Sequence, residues 1–249
     1  MNEATNAGGG HGPEVDPGRI WLGVATEVWR RRPAAVERFA ARLLRSPGLA
    51  RALVVTPSLM LSWLIASLVA ITVGTVATAA TGMPYLALLA PAVAACGIAF
   101  AYGPGIDPAW ELARSMAVDD RHVLLVRALA VFALNALLGV LATLVAAAAV
   151  SGRHADGAAA VGSVTYGWLL PMTAVCLLSL ATSALFGSWV AGLVAGLGGW
   201  TLAVLGGRAA DGAFTAAVTD PSWRPAYLSI ALCCGAVAIY ALRGVKGHR

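Results

Sequence analysis

The stretch Val123–Val150, VLLVRALAVFALNALLGVLATLVAAAAV, carries a single charge, Arg127, and no proline. About 30 Å of hydrocarbon divided by a 1.5 Å rise asks for roughly 20 apolar residues in one helix. This stretch exceeds that. Its apolar residues do not alternate with polar ones, as the short strands of a membrane barrel require. With no water to take up unpaired backbone groups, such a run closes its hydrogen bonds as a helix.

Working outward, five more stretches meet the same test: Pro57–Ala79, Met83–Tyr102, Ser163–Phe186, Ser188–Gly206 and Pro225–Leu242. The whole chain of 249 residues is 59% apolar and only 12% charged, with a mean hydropathy of +0.78. Soluble domains carry about 25% charged residues, and a chain of this size cannot hide such an apolar excess inside. The sequence therefore predicts an all-α integral membrane protein with six transmembrane helices and a cytoplasmic N-terminal amphipathic arm. Its parts are a disordered tail over 1–18, amphipathic helices over 19–56, the six-helix domain over 57–242, and a cytoplasmic tail over 243–249.

Charge placement orients it. With the N-terminus inside, the arm holds Arg19, Arg30, Arg31, Arg32, Arg38, Arg42, Arg45 and Arg51. The second-to-third connection and its edge add Arg114, Arg121 and Arg127, and the tail adds Arg243, Lys246 and Arg249. Only Arg153, Arg208 and Arg224 fall outside. This bias toward the inner face is the positive-inside pattern. It places both termini in the cytoplasm of a cell-membrane protein, and it accounts for the basic balance without a nucleic-acid partner. Arg127 lies six residues beyond Arg121, about 9 Å along the axis, so its guanidinium is expected to snorkel to the headgroups.

The tail Met1–Gly18 is glycine-rich and reads as disordered. Trp21, Val24, Val28 and Trp29 mark a short helical pattern, and Pro33 opens a clearer one. In the latter, Val36, Phe39, Ala40, Leu43 and Leu44 recur at helical spacing, with Arg38, Arg42 and Arg45 opposite. Such a helix lies in the headgroup layer, with Phe39 and Leu43 down and the arginines toward anionic lipid. Packing on protein is the plainer alternative. Ser46-Pro47 and Thr56-Pro57 pair a hydroxyl cap with a proline at the first helical position, marking two helix starts. Because the first apolar run begins only near Pro57, no cleavable signal peptide is expected.

Catalytic chemistry is not visible at membrane depth. Every carboxylate lies outside the six stretches, as do His11, His122, His154 and His248. Ion-coupled transporters ordinarily carry ionisable relays within the membrane, and no His-Glu-x-x-His motif supports an intramembrane hydrolase. The phosphate-cradling loop of an ATPase needs a lysine after its glycines, and Lys246 in the tail is the only lysine. Cys96, Cys176, Cys233 and Cys234 lie in apolar stretches without metal-like spacing and read as small packing residues. The chain is read as a non-enzyme with no cofactor or metal.

The informative polar segment is Gly103–His122, GPGIDPAWELARSMAVDDRH. Asp107 before Pro108 is a helix cap with proline in the first turn, and Trp110, Glu111 and Arg114 follow on the same short helix. Tied to two spans, it reads either as a solvated loop helix or as a docking knob that transmits motion from a cytoplasmic partner.

Six spans, a basic amphipathic helix before the first, and a short helix between the second and third resemble the permease subunit of an ABC-2-type exporter. More closely, Tyr102–Leu112, YGPGIDPAWEL, followed by Leu124–Val131, LLVRALAV, resembles a group of actinobacterial membrane proteins, some of which carry an N-terminal anti-sigma-type zinc finger. The resemblance spans roughly Pro47 to Gly206. It implies a partner ATPase seated on the helix bearing Asp107, Trp110, Glu111 and Arg114, and a homo- or heterodimer of permeases. Two features depart from it. No cysteine precedes Cys96, so the zinc finger is missing, and Gly207–Arg224 reads as a loop too short for the family's pair of re-entrant helices.

Gly192-x-x-x-Gly196, with Ala191, Ala195 and Gly199 nearby, allows close helix approach, either within the chain or across a dimer. Asn135 and Pro171 stand as isolated features. The expectation is a non-catalytic permease subunit driven by a separate ATPase. The competing reading is a membrane-anchored regulator whose cytoplasmic arm binds a signalling or transcription factor.

Overall fold

The computed structural model describes residues 16, 18–19, 38, 42, 57–102, 120–151 and 167–244. Every regular element among them is helical: α1 (Pro57–Thr81), α2 (Tyr85–Ala101), α3 (Asp120–Ser151), α4 (Leu169–Phe186), α5 (Trp189–Asp211), α6 (Ala216–Thr219), a 3-10 turn (Pro221–Trp223) and α7 (Arg224–Gly244). Segments within α1, α3, α4 and α5, and the stretch Pro221–Leu242, are long and apolar enough to cross a membrane. The α2 helix, with 17 residues, is shorter.

Glycines make the tight connections. Gly82, Gly187 and Gly212 all have positive φ, a backbone state costly for residues with a Cβ. Gly187 ends α4 in the left-handed conformation, and one extended residue, Ser188, then opens α5. At the α1–α2 hairpin the Thr78 hydroxyl donates to the Gly74 carbonyl at 2.8 Å and accepts the Leu86 N–H at 3.0 Å. It thereby satisfies one of the orphan donors in the first turn of α2.

The α2 helix is the hub, packing on α1, α3, α4 and α5, while α4 packs on α2, α5 and α7. Close approaches give the register. A Cβ at Gly97 of α2 would fall within 3 Å of both Trp63 of α1 and Val131 of α3, and one at Gly74 of α1 would meet Leu86 and Leu89. Helices α1 and α3 thus run together, antiparallel to α2. On the other side, Gly196 of α5 meets both Ala95 of α2 and Ser179 of α4. The end of the bundle holding Ala101, Val123 and Phe186 is called the near end below, and that holding Gly82, Trp168 and Gly212 the far end.

Side chains sort by size rather than polarity. Ala90, Ala94, Ala95, Ala99, Ala174 and Ala181 are buried, whereas Val73 is 59%, Leu129 66%, Leu202 71% and Leu232 72% exposed. In water this would be an inverted protein. In lipid it is expected, because tails are as apolar as leucine, and small residues at helix contacts allow the close approach that drives association.

Candidate functional site

The hub is held by side chains that reach α2 backbone carbonyls. The Trp200 indole N–H on α5 donates to the Leu88 carbonyl oxygen at 2.9 Å, and the Ser179 hydroxyl on α4 donates to that of Ala95 at 3.2 Å. Pro91 lies inside α2, where it removes one backbone donor and disturbs the carbonyls of the preceding turn. Neighbouring helices commonly supply such freed acceptors in membranes. The α4–α5 seam is tighter still. A Cβ on Gly192 would clash with the Ser183 hydroxyl and lie 2.7 Å from the Ser179 carbonyl oxygen. Gly192 and Gly196 therefore make close contacts within the chain.

Most hydroxyls on these helices bond back to their own helix. Thr72, Thr75, Thr143, Thr173 and Thr201 each donate to the carbonyl four residues earlier at 2.7–2.8 Å. Ser67, 1% exposed, does not, and its hydroxyl has no partner. The Asn135 carbonyl oxygen and the Trp63 and Trp168 indole nitrogens are also buried and unpartnered. Ser67 lies one turn beyond Trp63, and Asn135 one turn beyond Val131. Since Trp63 and Val131 meet at Gly97, Ser67 and Asn135 occupy the same level of the parallel helices α1 and α3. One further turn along α3, Gly139 meets the Trp168 ring. The result is an uncharged seam of donors and acceptors around the small residues of α2.

At the far end the chain between α5 and α7 folds inward. Ala216, Ala217 and Val218 are buried, and the Tyr227 hydroxyl donates to the Ala217 carbonyl oxygen at 2.8 Å. A Cβ on Gly207 would meet the Ala217 backbone, so this glycine admits the loop. The expectation of a plain loop over Gly207–Arg224 is corrected: α5 continues to Asp211, and α6 and a 3-10 turn follow. Asp220 caps that turn, accepting the Ser222 hydroxyl at 2.6 Å and the Ser222 N–H at 2.9 Å. These two bonds hold its carboxyl below the ordinary range. Asp220, Arg224, Tyr227, Leu170 and Pro171 line a pocket of about 260 Å³ here.

Of the residues singled out from sequence, Asp107, Trp110, Glu111 and Arg114 lie outside the described residues, as do Phe39, Leu43 and Arg45. Arg38 and Arg42 are helical and exposed, a spacing that puts both on one face. Arg127 is 5% exposed, because it lies on the face of α3 shared by Leu124, Ala128 and Val131, which packs into the bundle. Along the chain Ser67, Trp63 and Trp168 carry no mark, and Asn135 and Pro171 are isolated features. The polar seam had no signal along the chain, since its members are scattered over three helices.

Among the described residues, a helical bundle with five helices fit to cross a membrane, a small-residue interior and a leucine- and valine-rich exterior defines a multi-pass membrane protein. Searched against family models, curated proteins and solved structures, the chain matches none.

Proposed function

We propose that this chain is the non-catalytic permease subunit of an ATP-driven ABC-type exporter. In this reading it crosses the cell membrane six times with both termini in the cytoplasm and pairs with a second permease. A separate ATPase grips Asp107, Trp110, Glu111 and Arg114. Arg38, Arg42 and Arg45 rest on anionic headgroups, with Phe39 and Leu43 turned into the lipid. The sixth crossing is α2, whose 17 residues span about 25 Å, at the short end of the spanning range. Enclosed by four other helices, it need not match the bilayer thickness by itself.

The observation that carries the reading is the hub. The segment 103–119 joins α2, which contacts four helices, to α3. A force applied to that segment reaches most of the bundle through one helix. The neutral seam at Ser67 and Asn135 lies on the elements such a force would shift.

The test is co-purification of a partner ATPase with the wild type and with Trp110→Ala and Glu111→Ala, alongside transport in vesicles. Aromatic anchors dominate interfaces and a neighbouring charge sets register. Trp110→Ala is therefore expected to lose the ATPase and transport at unchanged membrane abundance. An ATPase bound equally by both variants, with transport intact, overturns the coupling role. Capture of a signalling or transcription factor by the arm instead would establish the regulator reading.

A further inference from the structure

Helices α3 and α4 meet at the far end, where the Trp168 ring lies against Gly139. Elsewhere they touch little, and a crevice of about 230 Å³ lies between them with α2 at its back. Its walls are Leu125, Ala128, Leu129 and Phe132 of α3 and Thr173, Cys176, Leu177 and Leu180 of α4, with Ile98 of α2 behind. We infer that this crevice binds one acyl chain of a membrane lipid, admitted sideways from the bilayer.

Three observations select that occupant. First, the lining offers almost nothing to a polar ligand: its one hydroxyl, on Thr173, already donates to the Leu169 carbonyl oxygen at 2.7 Å. The Cys176 thiol is soft and bonds weakly. Second, the floor is closed and the mouth is apolar. Ile98, Ala128, Cys176 and Leu180 are all under a tenth exposed, while Leu125 is 42% and Leu129 66% exposed. The mouth thus continues the leucine-rich exterior, where hydrocarbon replaces water. Third, the dimensions suit a single chain. Leu125 to Phe132 and Thr173 to Leu180 each rise about 10 Å. Spreading the volume over that length leaves a channel one hydrocarbon chain wide. The site depends on the membrane class of the protein, and not on the exporter reading.

The experiment reconstitutes the full chain in phosphatidylglycerol vesicles doped with a phosphatidylcholine bearing a diazirine in its acyl chain. After illumination, adducts are mapped by peptide mass spectrometry. Labelling at Leu125, Phe132, Thr173 and Leu177 is expected to exceed that at the more exposed Leu202 and Leu232 by at least fivefold. Ala128→Trp fills the floor and should abolish the excess without changing Leu232. Leu129→Trp plugs the mouth from a position that needs no room in the core, so it remains informative if Ala128→Trp does not fold. Labelling no denser in the crevice than at Leu202 and Leu232 means annular contact only and overturns the proposal. So does an excess that survives Leu129→Trp, and so does protection of the crevice by a cross-link to residues 19–56, which would make the arm the occupant.

Discussion

Trp200 on α5 donates its indole N–H to the carbonyl oxygen of Leu88 on α2, three residues before Pro91. The bond ties two helices at a place where the proline has loosened the backbone of the hub. Trp200→Phe keeps an aromatic ring, smaller than the indole, and removes the donor. The expected loss is about 0.6–2 kcal/mol, the range for interhelical hydrogen bonds in membranes, read as a lower midpoint of unfolding in detergent. An unchanged midpoint would mean that the bond adds nothing to stability.

Two neighbouring glycines of α5 should behave oppositely. Gly192→Ala drives a Cβ into Ser183 and toward the Ser179 carbonyl, whereas a Cβ on Gly198 meets nothing within 4 Å. Gly192→Ala should cost about 1–3 kcal/mol through overpacking, and Ser183→Ala should restore only part of it, since the backbone clash remains. Gly198→Ala should be neutral or stabilise by up to about 1 kcal/mol. Thermal unfolding of the three variants decides.

The Ser67 hydroxyl is buried without a partner, so its removal should not weaken the fold. Asn135 differs, because its amide donates to the Val131 carbonyl oxygen at 3.0 Å while its own carbonyl oxygen has no partner. Replacing an unsatisfied buried polar group by an apolar one of similar shape is nearly neutral or stabilising. Ser67→Ala is expected to unfold at or above the wild-type midpoint, and Asn135→Leu within about 1.5 kcal/mol of wild type, since it also loses the bond to Val131. Under the exporter reading the double variant also transports less. A marked destabilisation by Ser67→Ala would show that its hydroxyl is satisfied in solution.

The Asp220 cap should respond to acid. Its carboxyl is held below the ordinary range by Ser222, so the ordering it provides is complete above the unfolded carboxyl's pKa. That ordering is lost as pH falls through the depressed folded value. Hydrogen exchange at the Ser222 amide should therefore lose protection only in acid, after allowance for intrinsic exchange rates. In Asp220→Ala that protection should be absent at every pH.

Topology is checked by labelling single cysteines from outside the cell after replacing the four native ones. Ala155→Cys and Ala213→Cys should react, and Ala109→Cys and Gly247→Cys should not. Labelling at position 247 would make the number of crossings odd.

Much of the architecture was legible along the chain. The α1 start at Pro57, the α4 end at Phe186 and the glycine turn before α5 follow from local chemistry: proline fixes a helix start, and glycine permits a left-handed end. The outer segment was less legible. Gly207–Arg224 lacks a long apolar run, and its burial of Ala216 to Val218 depends on Gly207 making space in another helix.

By itself, the sequence determined five of its six apolar stretches as helices fit for hydrocarbon, the second being a shorter apolar helix, because helix formation and lipid solvation are sums over contiguous residues. It also determined where charge accumulates. Only the tertiary structure decided which faces meet: that α2 is the hub, that Gly192 packs on Ser183, and that Arg127 lies on the packed face of α3. The reason is physical. These helices are apolar on every side, so no polarity stripe marks the inward face as it does in water. What remains is the fit of small residues against large ones, Gly97 under Trp63 and Gly139 under Trp168, and that complementarity exists only between helices distant in sequence.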